Sequence, residues 1–168
     1  MTNYKQSLLL NQLREMPDFL KRAFLGTSSA LLTRMPTNDR SPLIEHLWHV
    51  RDCESDLYSP RILRVINEIR PHLNPVDVSA WPIERGYHLR AGDEAIREFS
   101  DLRLGLVRQL EETPEPAFDR VGIRYDDSEV DVYFLIEQLV DHDRDHRWRM
   151  SAILREIAES GRDVVSAV

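Results

Sequence analysis

Two histidines, His142 and His146, stand four residues apart in a long run of helix-forming residues in the last third of the sequence. Residues at positions i and i+4 of an α-helix lie on the same face, one turn apart. Two imidazoles placed in this way can bind one metal ion, and a third ligand must then come from another segment. The pair therefore predicts chemistry that depends on a metal.

The helix face that carries the pair is predicted to point into the core. Apolar residues recur every three or four positions on both sides of the histidines, as they do on the buried side of an amphipathic helix. They are Leu135, Leu139, Met150, Ile153 and Ile157. A buried imidazole is costly unless it is hydrogen-bonded or bound to a metal. The position of the pair thus favours a metal site over two surface residues.

The elements that would position this site are predicted to be four long helices, each with one apolar stripe. We expect an all-α four-helix bundle that forms a single domain over residues 1–168. The predicted helices are Tyr4 to Arg34 with a kink or short break at Pro17, Pro42 to about Arg70 bent or interrupted at Pro60, Asp93 to about Glu112, and a last helix that reaches about Ser160.

The segments between the helices carry their own signals. Ser41 is expected to cap the second helix, with Pro42 at its first position. Residues 128–131 resemble a capping box that opens the last helix, and Gly161 is expected as its C-cap. Residues 74–91 are predicted to be a long irregular segment that crosses between helices two and three, and residues 118–127 a short extended piece.

Composition narrows the class of function. The chain has 168 residues and a formal net charge of −7, which argues against binding to nucleic acid. Its apolar runs are too short for a membrane span, and its first residues lack the layout of a secretory signal. The single cysteine, Cys53, cannot form an internal disulfide, which fits a reducing compartment. We expect a cytoplasmic protein that acts on a small molecule.

The third metal ligand is predicted to come from the second helix, which carries His46 and His49. His46 lies nearer the middle of the apolar face defined by Leu43, Val50 and Leu57, and His49 lies nearer its edge. Periodicity alone favours His46 but does not decide between the two.

Three segments resemble the DinB/YfiT-like superfamily of metalloenzymes. Residues 45–54 resemble its first metal motif, in which a glutamate precedes a histidine by four positions and Asp and Glu follow it at three and five. Residues 135–146 resemble the second motif, and residues 95–103 are similar to a third-helix pattern of an aromatic residue followed by arginine. The resemblance implies a four-helix bundle, often dimeric, with His49, His142 and His146 as metal ligands.

The same resemblance implies a divalent-metal-dependent enzyme that acts on a small molecule. The superfamily includes S-transferases and isomerases that use low-molecular-weight thiols, and many hydrolases. Thiol transfer is the reaction that the resemblance favours, with metal-activated hydrolysis beside it. Imidazole ligands suit zinc or nickel, and iron as well, so the ion stays open. A homodimer is expected, with no nucleic-acid or membrane partner.

Three charged residues are candidates for a catalytic role. Asp52 could hold the second ring nitrogen of His49, or it could be a surface acid. Asp143 could take part in the chemistry or in a hydrogen bond between helices. Arg103 could pair with a carboxylate in the site and contact substrate, or it could form a surface ion pair.

Three further residues have two interpretations each. Trp81 and Tyr87, in the crossing segment, could cap the mouth of a substrate pocket or simply pack there. Cys53 follows His49 by one helical turn and could be a fourth ligand, although a buried apolar role is more typical of a free cysteine.

Other chemistries fit the sequence less well. The ferritin-like di-iron plan needs Glu-x-x-His on two helices, and the sequence has no such motif. Asp143 stands where the zinc-protease motif needs glutamate, and there is no Gly-x-Ser-x-Gly elbow of a serine hydrolase. The alternative from another class is a non-catalytic metal-binding or stress-related helical bundle. Its metal site would be closed by four protein ligands, whereas a catalytic site keeps an open position.

Overall fold

The computed structural model describes the backbone of residues 4–166 and the side chains of residues 4–160. The α-helices and strands of this part of the chain follow one another as α1 (Tyr4–Phe24), α2 (Ser29–Leu32), α3 (Leu43–Cys53), α4 (Ser59–Asn67), β1 (His72–Leu73), α5 (Trp81–Glu84), α6 (Gly92–Glu112), β2 (Val121–Arg124), β3 (Glu129–Asp131) and α7 (Val132–Ser166). Four rods pack against one another, namely α1, α3 with α4, α6, and α7. The prediction of an all-α four-helix bundle is confirmed.

The first rod is shorter than the sequence predicts, and the helix has no break at Pro17, where the sequence predicts a kink or a short break. α1 runs without interruption through Pro17 and ends at Phe24, and Ser28 caps the short α2 that follows. The chain turns at Gly26, whose φ of +79° lies in the left-handed region that glycine adopts without steric cost. Pro17 cannot donate a hydrogen bond to the carbonyl of Leu13. That carbonyl instead accepts one from Arg103 Nη1 at 3.0 Å.

The second rod is interrupted just before Pro60, as predicted. α3 and α4 are joined by a π-helical turn over Glu54–Tyr58, in which the amide of Ser59 donates to the carbonyl of Glu54. The rod ends at Asn67 and not at Arg70. The predicted cap at Ser41 is wrong because α3 begins at Leu43, with Pro42 in the cap position.

The last helix begins differently from the prediction. Residues 129–131 form β3 and not a capping box, and the Oδ1 atom of Asp131 accepts the amide hydrogen of Phe134 at 2.7 Å. α7 continues through Gly161 to Ser166, so the predicted C-cap at Gly161 is also wrong.

The connections form a small three-stranded sheet and two helical turns. β2, within the predicted extended piece, pairs parallel with β1 and antiparallel with β3, so Ile123 lies opposite both His72 and Glu129. The crossing segment is not wholly irregular, since it contains α5 and a 3₁₀ turn over Tyr87–Leu89. None of the helices described is long and apolar enough to cross a membrane.

The core consists of two apolar clusters with a polar level between them. Along each of the four rods, residues of one cluster are followed by residues of the other. The cluster nearer the sheet ends with Leu13, Ile62, Leu106 and Val140, and the other begins with Met16, Cys53, Phe99 and Met150. Between these positions lie the buried polar residues Glu54, Arg103, Asp143 and His146. A buried charged network therefore separates the two apolar clusters along the bundle.

Candidate metal centre

His49 of α3 and His142 of α7 face each other across the bundle. Their Nε2 atoms are 3.3 Å apart, and Cys53 Sγ lies 3.4 Å from the Nε2 atom of His49. Each of these three residues offers a ligand atom within 4.8 Å of the other two, and no other such group occurs among the residues described. Helix periodicity explains the arrangement, because Cys53 follows His49 by one turn on the same face.

His146 places a third imidazole beside this group. Its ring centroid is 4.5 Å from that of His142 and 4.9 Å from that of His49, and the two latter centroids are 5.4 Å apart. The Nδ1 atom of His146 is 3.0 Å from Nδ1 of His46, the second histidine of α3. The rings of the three predicted ligands therefore lie next to one another. The group whose ligand atoms lie within 4.8 Å of one another includes Cys53 with His49 and His142, and not His146. His46 lies beside His146 at the edge of the site.

The burial of these rings sets their charge. Desolvation lowers the pKa of His49, lowers the pKa of His142 to about 3 and that of His46 to about 4, and lowers the pKa of His146 further. All four imidazoles are neutral at pH 7, which is the form that binds metals. Burial raises the pKa of the Cys53 thiol to about 12.

The donor atoms fit a divalent metal ion. Two nitrogens bound to one tetrahedral zinc at 2.0–2.1 Å lie roughly 3.3 Å apart, and a nitrogen and a sulfur lie roughly 3.6 Å apart. The His49–His142 and His49–Cys53 separations are close to these values. The Nδ1 atom of His142 is buried and has no hydrogen-bond partner among the residues described. The residues present therefore suit an ion such as zinc or nickel.

A cleft of about 200 Å³ opens onto one side of the histidines. Its wall is formed by residues of the loop before α3, of α3, of the crossing segment and of α7, which are Ser41, Glu45, His46, His49, Val78, Ser79, Pro82, His146 and Arg149. The sequence interpretation did not single out Glu45 or Arg149 for this wall. Helix spacing could have found both, because Glu45 precedes His49 by four residues and Arg149 follows His146 by three. His142 and Cys53 lie behind the cleft wall.

Arg103 is at the centre of the polar level. Its guanidinium donates to both carboxylate oxygens of Glu54 at 3.0 and 2.8 Å and to those of Asp143 at 2.5 and 3.2 Å. The bond to the Leu13 carbonyl occupies the fifth N–H group. These carboxylates raise the pKa of Arg103 against the effect of its complete burial. Arg103 pairs with carboxylates as predicted. Substrate contact by Arg103 stays a prediction, which its burial does not favour.

The Arg103 network lies next to two candidate metal ligands. Glu54 directly follows Cys53, and Asp143 directly follows His142. Through these two carboxylates, the guanidinium links α6 to the two segments that carry Cys53 and His142. Each link is one residue away from a candidate ligand. Asp143 thus accepts hydrogen bonds from another helix, which is one of the two roles predicted for it from the sequence.

Asp52 has partners other than the predicted one. Its carboxylate accepts hydrogen bonds from Arg51 at 2.9 Å, Arg85 at 2.6 Å and the hydroxyl of Tyr87 at 2.8 Å. Tyr87 is fully buried, and Trp81 is nearly so, with the Arg85 guanidinium 3.8 Å from its ring centroid. These residues anchor the crossing segment to α3. Roles for Trp81 and Tyr87 in substrate binding and for Asp52 in catalysis stay predictions, and none of the three lines the cleft.

Known proteins share the sequence pattern and the fold. The chain superposes on YfiT from Bacillus subtilis with a TM-score of 0.83 and 18% sequence identity, covering 94% of this chain and 90% of that one. YfiT is described as a probable metal-dependent hydrolase with an unusual four-helix bundle topology. No curated protein matches the chain significantly in sequence. Residues 12–150 match the model of the DinB superfamily, so the chain belongs to the DinB superfamily.

Proposed function

We propose that this chain is a metal-dependent hydrolase of a small molecule, with a divalent ion held by His49, His142 and His146. The observation that carries the proposal is the convergence of three neutral imidazoles from α3 and α7 beside an open cleft. The description of YfiT as a probable metal-dependent hydrolase supports the same conclusion. A divalent ion held by these imidazoles would supply Lewis-acid chemistry, which brings the pKa of water toward about 7.

The residues of the cleft supply the groups that hydrolysis needs. Glu45 is half-buried and is the one carboxylate among the residues that line the cleft in the described part of the chain. Its carboxylate oxygen accepts the proton of the attacking nucleophile and returns it to the leaving group. The guanidinium of Arg149, on the opposite wall, donates through Nε and Nη2 to Asp39, and its remaining N–H groups bind the polar end of the substrate.

The likeness to YfiT favours water over a thiol as the nucleophile. YfiT is described as a probable metal-dependent hydrolase, and its fold matches that of this chain. We therefore rank hydrolysis above the thiol transfer that the sequence resemblance favoured. Thiol transfer is the alternative reaction, and the activity assay described below distinguishes it from hydrolysis.

The competing function is a non-catalytic metal site, and Cys53 is the observation that favours it. A thiolate ligand from Cys53 together with the three imidazoles would close the site with four protein ligands. X-ray absorption of the zinc-loaded protein separates the two, since Zn–S and Zn–N distances differ by about 0.2 Å. Three nitrogen ligands without sulfur support the enzyme. A sulfur with three nitrogens supports the closed site.

Activity is tested with the metal-loaded protein on a panel of small amides and esters, and in parallel on a small electrophile with cysteine as the thiol. We expect hydrolysis that disappears on metal removal. The variant Glu45→Gln should keep the metal and lose about 10²–10⁴-fold in turnover. Glu98→Gln is the matched control, because Glu98 lies outside the cleft wall. Thiol-dependent turnover alone, or equal activity of Glu45→Gln and wild type, would overturn the hydrolase.

A further inference from the structure

A chain of three polar side chains leads away from the candidate metal centre along the cleft. Asp39 Oδ2 lies 3.6 Å from Nε2 of His46, and Nδ1 of His46 lies 3.0 Å from Nδ1 of His146. Both imidazoles are buried, with His46 2% and His146 6% exposed. Neither ring can therefore exchange its partner for bulk water.

Asp39 is itself fixed. Arg149 donates two hydrogen bonds to its carboxylate at 2.8 Å each, and the amide of Ser41 donates a third at 3.1 Å. Burial alone would raise the pKa of Asp39, but these donors lower it to about 2. A permanent negative charge thus faces His46 Nε2.

The charge of Asp39 determines which ring nitrogens carry hydrogen. A neutral imidazole has one N–H donor and one acceptor nitrogen. The nitrogen of His46 that faces the carboxylate, Nε2, favours the hydrogen for electrostatic reasons, which leaves Nδ1 as an acceptor. His146 must then donate from its Nδ1, and its Nε2 keeps the free lone pair that a metal requires.

We propose that His46 is a positioning residue that holds His146 in the tautomer and orientation needed for metal binding. This inference rests on the proposed function, because it assigns His146 to the metal shell. It also gives the two histidines of α3 different roles. His49 is a metal ligand, whereas His46 supports the ligand His146, which it contacts. A hydrogen-bonded partner of this kind is typically worth 10–100-fold in metal affinity.

The test compares zinc affinity, measured by competition with a chromogenic chelator, in wild type, His46→Ala and His46→Asn. The amide oxygen of asparagine takes roughly the place of histidine Nδ1, so it can still accept from His146. We expect His46→Ala to lose about 10–100-fold in affinity at unchanged stoichiometry, and His46→Asn to recover most of it. Asp39→Asn should lose affinity in the same direction, because the carboxylate charge is removed. Unfolding of the metal-free variants in urea shows that each remains folded.

Three results would overturn the inference. Wild-type affinity in His46→Ala would show that His46 does not support the site. Complete loss of stoichiometric zinc in His46→Ala would make His46 a ligand. In metal-free wild type, nitrogen-15 spectra should show His146 with hydrogen on Nδ1, and the Nε2–H tautomer would contradict the inference. If wild type binds no divalent ion, the proposed function fails, and the tautomer measurement still decides the inference.

Discussion

Replacement of Arg103 by methionine should destabilise the protein strongly, although Arg103 touches neither the cleft nor solvent. The side chain is fully buried, and its partners Glu54 and Asp143 are 1% and 4% exposed. Without the guanidinium, two carboxylates remain buried with no positive partner, which typically costs 3–5 kcal/mol. The carbonyl of Leu13 also loses the donor that replaces the missing amide of Pro17, at a cost of about 1–3 kcal/mol. We expect a loss near 5 kcal/mol.

Urea unfolding at pH 7 with a chelator present measures this loss in free energy. Arg14→Met is the control, because Arg14 pairs with Glu111 at the surface, where an ion pair is worth at most about 1 kcal/mol. A triple variant, with Glu54→Gln and Asp143→Asn added to Arg103→Met, should recover a large part of the loss, since no buried charge is left.

The pH dependence of Arg103→Met gives a second measure. Burial already raises the pKa of Asp143, and without Arg103 its main ion pair would no longer oppose the effect. The native state then binds a proton more readily than the unfolded chain, so its stability rises as pH falls from about 7 to about 5. A loss in Arg103→Met equal to that in Arg14→Met would refute the reasoning. No recovery in the triple variant would show that lost packing, and not stranded charge, is the cause.

Three further predictions concern stability in the absence of metal. Burial lowers the pKa of His46 from 6.5 to about 4, so the unfolded chain binds a proton first as pH falls. The neutral His46 ring therefore makes its full contribution to stability above the pKa that it has in the unfolded chain. About 2 kcal/mol of that stability is lost by about pH 5. Urea unfolding of His46→Asn should show a pH dependence weaker by that amount, and an unchanged slope would contradict the pKa shift. Gly26→Ala should cost about 1 kcal/mol, because alanine is strained at a φ of +79°; an unchanged thermal midpoint would contradict this. Asp131→Ala should lower the free energy of unfolding in urea by about 1 kcal/mol, because the cap on α7 is lost. Asp131→Asn should retain most of the stability that the cap provides.

The four rods could be predicted from sequence because each presents a long apolar stripe with a period near 3.6 residues. The rod ends could not. Pro17 carries the usual signal of a break, but Arg103 supplies the donor that the proline removes. That compensation comes from a residue 86 positions away, which no local pattern contains. Ser128 and Asp131 similarly have the spacing of a capping box, yet Glu129 and Asp131 pair with β2 because the sheet offers backbone partners.

The histidines of the site were recognisable because His142 and His146 interrupt an apolar stripe, while the choice between His46 and His49 depends on tertiary contacts. Periodicity placed His46 nearer the core, and it is the more buried of the two. The structure turns it toward His146 and Asp39, whereas His49 faces His142 and Cys53. Helix spacing places Glu45 beside His49 and Arg149 beside His146, but the cleft that these two residues line also needs the crossing segment, which no spacing within one helix predicts.

Metal analysis of protein purified without a histidine tag tests the central claim most directly. Wild type, His49→Ala and His142→Ala are dialysed against a small excess of zinc and then against buffer, and bound metal is counted by elemental analysis. We expect one ion per chain in wild type and almost none in either variant, because each removes a ligand from a different helix. Full occupancy in both variants, or no bound ion in wild type, would contradict a metal centre between α3 and α7.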